Sequence, residues 1–381
     1  MGLAADTTAA VVGTGFAGAA HIEALRRIPS VRVAAIAASS GERAAAVAGD
    51  LGVDRWTGDY RELLDDPSID VIHNCTPNDL HLEVNLAAIA AGKHVLSEKP
   101  LAMDSGETAR LVAAASGAPV RSGVCFNYRH FPLVEETRER IAASGDGPHL
   151  IQGTYLQDWL LKATDWNWRI DPARSGAGRA LGDIGSHWID LIQHVTGRRI
   201  VRVCGRTGRL HDVRQRPTAQ TSTFERGGGD SEPVTVDTED FATVLLEFEG
   251  GCSGVLTVSQ VSPGMRNRLV FDIDLPDASY VWDQERPNRL WIGHRDQPNE
   301  ELVRDPELMA PSAALLSHYP AGHQEGWPDA LKNLIIDFHA GVRDPQHRLT
   351  VASFADAHRV TETVEAILES SRTGGWVNVG G

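Results

Sequence analysis

The chain predicts an α/β plus α+β protein: an N-terminal Rossmann-type doubly wound parallel sheet, then a domain with an open, mostly antiparallel sheet. Three observations carry this. A Gly-x-Gly-x-x-Gly turn, Gly13–Gly18, follows the apolar run Ala9–Val12 and opens a helix-like pattern. Short apolar runs then alternate with amphipathic stretches as far as Val124, the βαβ rhythm of a parallel sheet. After Tyr128 come longer alternating runs such as Thr243–Glu249 and Gly254–Ser259, which suit an antiparallel sheet with one covered face.

In the first part, strands are expected at Ala9–Val12, Val31–Ala37, Val71–Asn74, His94–Ser97 and Val120–Val124. Helices are expected at Ala19–Ile28, Glu42–Leu51, Tyr60–Asp65, Leu80–Ala91 and Ser105–Ser116. The second part opens with a helix, Pro132–Ser144, then a strand, Leu150–Gln157, and a helix, Gly182–Val195. Strands follow at Val201–Arg206, Phe241–Glu249, Ser253–Val261, Arg268–Leu275 and Ser279–Asp283, and the helices Asp329–Ala340 and Ser353–Ser371 come last. The Gly-, Thr-, Arg- and Asp-rich segment Gly208–Asp237 reads as a long loop. The expected domains are residues 1–128 and 129–381.

A length of 381 residues suffices for two domains, and 42% hydrophobic with 23% charged residues is ordinary for a globular enzyme. The net charge of −15 argues against nucleic acid or an anionic membrane as main partner. Cys75, Cys125, Cys204 and Cys252 are widely spaced, with no zinc-type pattern, as expected of free thiols in a reducing compartment. No apolar run reaches the ~18 residues of a membrane helix, and the N-terminus lacks a signal-peptide pattern. A cytoplasmic protein is therefore expected, with a small molecule rather than a nucleic acid or membrane as its partner.

The turn Gly13-Thr14-Gly15-Phe16-Ala17-Gly18 fits a dinucleotide. Gly13 permits a tight strand-to-helix turn, Gly15 lets the backbone approach a pyrophosphate, and Gly18 lets helix and strand pack closely. N–H groups at the helix start then face the phosphate charge. The second strand ends at Ala38-Ser39-Ser40, with Arg43 close behind, where an acid would select NAD. Without that acid both NAD and NADP remain open, and Ser40 could equally start the next helix. Two loops follow apolar strands, where ligands of open α/β sheets bind. One is Cys75-Thr76-Pro77-Asn78, with His81 just beyond; the other is Glu98-Lys99-Pro100. Lys99, between Glu98 and Pro100, has a constrained direction and can donate to a substrate oxygen.

Together Gly13–Gly18, Cys75–Asn78 and His94–Pro100 resemble the Gfo/Idh/MocA oxidoreductase family, over nearly the whole chain. The resemblance implies a Rossmann domain followed by an open-sheet domain that forms a substrate wall and commonly a homo-oligomer interface. It also implies that the lysine of Glu-Lys-Pro works with an Asp-x-x-x-His pair, matched here by Lys99, Asp183 and His187.

The segment Gly182–Asp190 supports that pair independently. On a helix Asp183 and His187 share one face, four residues apart. A histidine of pKa about 6.5 can take an alcohol proton near neutral pH. The expected roles are His187 as general base, Asp183 orienting its ring or binding a neighbouring hydroxyl, and Lys99 stabilising charge on the reacting oxygen. Whether Lys99 or His187 moves the proton is left open. Asp190 is a further candidate on the same helix, His194 is expected to pack, and no metal ligand set is expected.

Trp166 and Trp168, with Trp159 and Trp188 nearby, could stack on a sugar or simply pack. Asn127, Tyr128 and Arg129 fall at the expected domain junction, Asn127 and Arg169 are cofactor candidates, and His323 lies in a second candidate wall, His318–Trp327. The expected activity is hydride transfer between NAD or NADP and a ring hydroxyl or ketone of a sugar, polyol or glycoside. An NAD-recycling glycoside hydrolase and a non-catalytic nicotinamide-binding regulator are the alternatives.

Overall fold

Thr7–Val12 (β1) is buried at every position, as an apolar central strand of a parallel sheet must be. The structure, a computed structural model, describes residues 7–218 and 230–380. β1 is joined by Val31–Ala37 (β2), Trp56–Thr57 (β3), Val71–Asn74 (β4), His94–Ser97 (β5) and Ser122–Val124 (β6). All pairings are parallel, in the order β3-β2-β1-β4-β5-β6. The order reverses between β1 and β4, which makes their carboxyl ends the ligand crevice of a Rossmann sheet. The connecting helices are Phe16–Arg26 (α1), Gly41–Leu51 (α2), Arg61–Leu64 (α3), His81–Ala90 (α4) and Ser105–Ser116 (α5). Ser40 and Asp104 cap α2 and α5, each accepting the N–H three residues on.

The second unit holds Pro132–Ser144 (α6), Leu150–Leu156 (β7), Pro172–Ser175 (α7), Ser186–Thr196 (α8) and Ile200–Gly208 (β8). Val213–Pro217 (β9) and Ser231–Thr235 (β10) pair antiparallel as a small separate sheet. Then come Phe241–Phe248 (β11), Ser253–Ser259 (β12), Arg268–Asp274 (β13), Ser279–Asp283 (β14), Arg289–Gly293 (β15), Glu300–Val303 (β16) and Pro311–Ala314 (α9). The chain ends with Trp327–Arg343 (α10), Phe354–Thr373 (α11) and Val377–Asn378 (β17). The large sheet runs β16-β15-β14-β13-β7-β12-β11-β8-β17, antiparallel except for the parallel pair β7–β12.

Its inner face follows from period-two alternation: Ala242, Val244, Leu246 and Phe248 of β11 and Leu269, Phe271 and Ile273 of β13 are buried. Helices α6 and α8 cover this face. Trp188 of α8 is fully buried and donates its indole N–H to the Val270 carbonyl at 3.0 Å. Its ring occupies the place of a missing side chain on β7, since a Cβ on Gly153 would lie 2.1 Å from the indole nitrogen.

Three expectations change. The expected loop Gly208–Asp237 contains β9 and β10 in its described part, and residues 219–229 within it lie outside the described residues. The expected continuous helix Gly182–Val195 begins as a π-helical turn, Leu181–Gly185, before α8. Pro328–His358, expected in the second domain, packs with the first unit, which otherwise runs up to Asn127; the second takes Tyr128–Trp327 and the chain from Arg359. Thr7 donates to or accepts from His339 at 2.7 Å, and Arg121 Nε donates to the Gly341 carbonyl at 3.1 Å, two bonds that tie this late segment to the parallel sheet. Among the described residues no helix is long and apolar enough to cross a membrane.

The turn between β1 and α1 is the tightest place in the first unit. Gly13 has φ +98°, and a Cβ there would lie 2.3 Å from the Cys75 carbonyl oxygen. A Cβ on Gly18 would lie 2.0 Å from the Gly13 carbonyl oxygen. Both obstacles are backbone, so neither can swing aside. Gly18→Ala should therefore destabilise the first unit by about 1–3 kcal/mol, the usual cost of overpacking, read as a lower thermal midpoint. Gly15→Ala, with nothing within 4 Å of its added carbon, should leave that midpoint unchanged while weakening dinucleotide binding.

Candidate active site

In the first unit the candidate residues stand at the carboxyl ends of β1, β4 and β5. Gly15 is the N-cap of α1 and brings no side-chain oxygen to the helix start. The space where its Cβ would be is open, as an approaching pyrophosphate requires. Phe16 stands exposed beside it, and Thr14 and Ala17 are half-buried. Ser39, Ser40 and Arg43 are exposed beyond β2, with the Ser40 hydroxyl engaged by the Arg43 N–H at 3.2 Å. The helix-start reading of Ser40 is thus realised.

The loops after β4 and β5 are fastened to each other by buried amides. Asn74 Oδ1 accepts from the Thr76 hydroxyl at 2.7 Å, and its Nδ2 donates to Asn85 Oδ1 at 2.8 Å. Asn85 Nδ2 donates to the Ser97 hydroxyl at 2.9 Å. The His81 ring then bridges the loops, with Nδ1 2.7 Å from the Pro100 carbonyl and Nε2 2.9 Å from that of Thr76. Burial pulls the His81 pKa below the ordinary imidazole value, against these two carbonyls and the Glu98 charge. Cys75, Pro77, Asn78, Glu98 and Lys99 are thereby held on one fixed rim. Burial pushes the Cys75 thiol well above its usual range, so it is a packing group rather than a thiolate.

Glu98 accepts from His21 Nε2 at 3.1 Å and from the Lys99 N–H at 3.2 Å. Burial would raise this carboxyl, but the His21 hydrogen bond, the Lys99 charge and the Lys99 N–H hold it at about 2. His21, Glu98 and Cys125 bring ligand-capable atoms within 4.8 Å of one another. The His21–Glu98 bond and the 3.6 Å contact of Cys125 Sγ with His21 Nε2 account for that convergence.

In the second unit the candidate residues gather around the π-helical turn that precedes α8. Glu239, fully buried, caps this turn: Oε1 accepts the Leu181 N–H at 2.8 Å and Oε2 the Arg179 N–H at 3.1 Å. Beside it Asp240 pairs with Arg179 and with Arg214, the latter at 2.6 Å. Turns of this type widen a helix and recur at functional sites. Here the turn carries Asp183, whose Oδ1 accepts from Arg169 Nε at 3.1 Å and Oδ2 from Gln260 Nε2 at 2.8 Å. Asn167 in turn fixes Arg169, accepting both its backbone N–H and its guanidinium.

His187, on the first turn of α8, packs edge-on against Tyr128, with ring centroids 4.9 Å apart, and near Tyr155 at 6.3 Å. Tyr155 donates to Asn267 Oδ1 at 2.7 Å, and Asn267 Nδ2 donates to the Tyr128 oxygen at 3.0 Å. The Tyr155 proton being spent, Tyr128 must donate to Tyr155 at 2.7 Å, which closes a ring of three bonds. Burial pushes the Tyr128 phenol up to about 12 and that of Tyr155 well above its ordinary value, with the Asp183 charge adding to both. Both therefore stay protonated. Gln157 and Trp159 extend the network from Asn267.

The other expected residues divide. Asp190 is fully buried in a bidentate pair with Arg129, at 2.7 and 2.5 Å, so it is a structural anion. Trp166 packs on Leu160, Ile170 and Val236. Trp168 lies under the guanidinium groups of Arg169 and Arg174, at 4.4 and 5.5 Å. His323 is exposed, on a loop whose carbonyls Tyr319 and His323 are held by Arg304. Asn127 is buried at the end of the first unit. Sequence reasoning missed Tyr155, Asn267, Gln260 and Glu239. Gln260 directly follows the alternating run of β12, a position where a buried amide faces the covered side.

Known proteins bear on this arrangement. A family profile described as an oxidoreductase family with an NAD-binding Rossmann fold matches residues 7–126, and the Gfo/Idh/MocA C-terminal domain profile matches residues 137–274. Levoglucosan dehydrogenase of Pseudarthrobacter phenanthrenivorans is 30% identical over 97% of each chain. The solved structure of a levoglucosan dehydrogenase complexed with NADH and levoglucosan superposes with a TM-score of 0.87 at 28% identity, over 98% of this chain and 99% of that one. An inositol dehydrogenase homologue of Azotobacter vinelandii, complexed with NADH and myo-inositol, gives 0.84 at 26%, over 99% and 98%. The chain belongs to the Gfo/Idh/MocA family of oxidoreductases and carries that family's NAD-binding Rossmann fold.

Proposed function

We propose that this protein is an NAD-dependent dehydrogenase that oxidises a secondary ring hydroxyl of a sugar, cyclic polyol or glycoside, with Lys99, Asp183 and His187 as its catalytic residues. The observation that carries this reading is the fixed Asp183 carboxylate, gripped by Arg169 and Gln260 one helical turn before His187. The named relatives support the substrate class: levoglucosan and myo-inositol are both rings of hydroxyls, and both occur in those complexes with NADH. The turn at Gly13–Gly18 fits the dinucleotide, because Gly15 leaves open the space a pyrophosphate needs.

When bound, the dinucleotide supplies the hydride acceptor. Lys99 donates a hydrogen bond to the reacting oxygen and offsets the negative charge that grows there as the hydride leaves. His187 takes the hydroxyl proton, its ring steered by the protonated Tyr128 and Tyr155 packed against it. Asp183, its back held by Arg169 and Gln260, accepts from a neighbouring hydroxyl of the ring. Run in reverse, the same groups reduce a ketone.

His187→Ala should lower kcat about 10²–10⁴-fold, the usual worth of a general base, with the Kd for NAD unchanged by fluorescence titration. Activity surviving within a few fold would remove His187 from that role. Lys99→Ala should lower kcat comparably. Gln260→Ala should instead raise KM more than it lowers kcat, since it loosens the carboxylate that holds the substrate. Reduced nicotinamide should accumulate one for one with oxidised substrate when a panel of sugars, inositols and glycosides is offered with NAD or NADP. Aglycone release without net reduction would replace this reading by oxidation–elimination hydrolysis.

A further inference from the structure

Three histidines that the proposed reaction does not use form a continuous chain inside the first unit. Starting at the sheet's first strand, Thr7 Oγ1 lies 2.7 Å from His339 Nδ1. His339 Nε2 lies 3.1 Å from His73 Nε2, and His73 Nδ1 lies 2.8 Å from His21 Nδ1. His21 Nε2 then reaches Glu98 Oε1 at 3.1 Å, and Glu98 adjoins Lys99. The links come from β1, α10, β4, α1 and the end of β5, and all three imidazoles are fully buried.

Each ring uses both nitrogens on a chain neighbour, so the tautomer of one dictates that of the next. An ionised Glu98 can only accept. His21 then carries its proton on Nε2, and its Nδ1 must accept. His73 therefore carries its proton on Nδ1, His339 on Nε2, and the Thr7 hydroxyl donates. One direction satisfies all four contacts with every ring neutral, which is the state that burial favours. Burial accordingly holds the His73 pKa well below the ordinary value and that of His339 at about 3, aided by Arg343 and His94 near His339.

We propose that His73 and His339 are positioning residues for Glu98: through His21 they fix which nitrogen presents a proton to that carboxylate, and so keep an anionic acceptor in place beside Lys99. The inference rests on the reading that Lys99 serves the reaction. The groups facing Glu98 are His21 of α1, Lys99 beside it, Cys75 after β4, His81 of α4 and Cys125 after β6. Both thiols are held protonated by burial, with the Glu98 charge adding to the effect, so neither is an anion beside Glu98 and neither brings it a positive charge. If His21 turns its protonated nitrogen away, burial is left to raise the Glu98 carboxyl with one fewer opposing hydrogen bond.

The test is direct observation of the tautomers in the full-length protein labelled with ¹⁵N-histidine, by long-range ¹H–¹⁵N correlation, with His73→Phe and His339→Phe supplying assignments. The expected wild-type pattern is alternating: Nε2–H on His21, Nδ1–H on His73 and Nε2–H on His339. His339→Phe should change the His21 signals two rings away. It should also make kcat/KM relative to wild type fall about tenfold per pH unit below about pH 5, as one added ionisation dictates, while the ratio stays flat from pH 7 to 9. His339→Gln, which keeps an N–H for His73, should restore the wild-type profile. An Nε2–H tautomer on His73, an imidazolium at His21, or a His21 signal indifferent to His339→Phe overturns the proposal. If His339→Phe does not fold, the wild-type spectrum and His339→Gln still decide it. A wild type that oxidises no ring alcohol defeats the proposed function instead, and the spectra judge the chain separately.

Discussion

Backbone pressed on backbone at the end of β1 is the constraint from which the first unit is built. With Gly13 against the Cys75 carbonyl and Gly18 against the Gly13 carbonyl, no side chain separates the first turn of α1 from the end of β4. That closeness lets a helix N-terminus stand at the point where the strand order reverses. It also fixes where Asn74 ends its strand, and the amide bonds through Asn85 and Ser97 carry that position on to β5. Glu98 and Lys99 are thus placed by a sequence of contacts that starts at a glycine.

The second unit places its carboxylate by the opposite means. Instead of an absent side chain it uses buried charge: Glu239 caps the π-helical turn, Asp240 binds Arg179 and Arg214, and Arg129 grips Asp190. Such groups gain little net stability, because desolvation consumes most of their attraction, but breaking one of a pair costs about 3–5 kcal/mol. Their return is geometric. A helix opening held by a buried carboxylate cannot slide by a residue without leaving that charge unpaired, so Asp183 and His187 keep their register.

Much of this was legible in the sequence, and the reasons divide by the range of the interaction. Strands β2, β4 and β5 and helix α5 match their expected limits, because short apolar runs between breakers leave little choice of period. The roles of Gly13, Gly15 and Gly18 were readable because each follows from local geometry. Strands β9 and β10 were not readable: each mixes polar and charged residues with a proline and a lone valine, and pairing rather than pattern makes them strands. The π-helical turn was also invisible, since Leu181–Gly185 has the spacing of an ordinary helix and its capping acid lies some sixty residues away. Tyr155 lies inside an expected strand with no motif of its own, and only its ring of bonds with Tyr128 and Asn267 gives it a further part.

The contrast between the two units bears on what each can tolerate in evolution or design. A contact between backbones admits one residue type, so the Gly13–Gly18 turn has no neutral substitutes at its first and last positions. The network behind Asp183 is made of side chains, Arg169, Asn167 and Gln260, whose lengths and donors can be exchanged while the turn itself stays capped by Glu239. The Gly13–Gly18 turn is therefore rigid in this chain, and the surroundings of Asp183 are adjustable. A fold divided in this way can keep one cofactor-binding turn while other sites on it change.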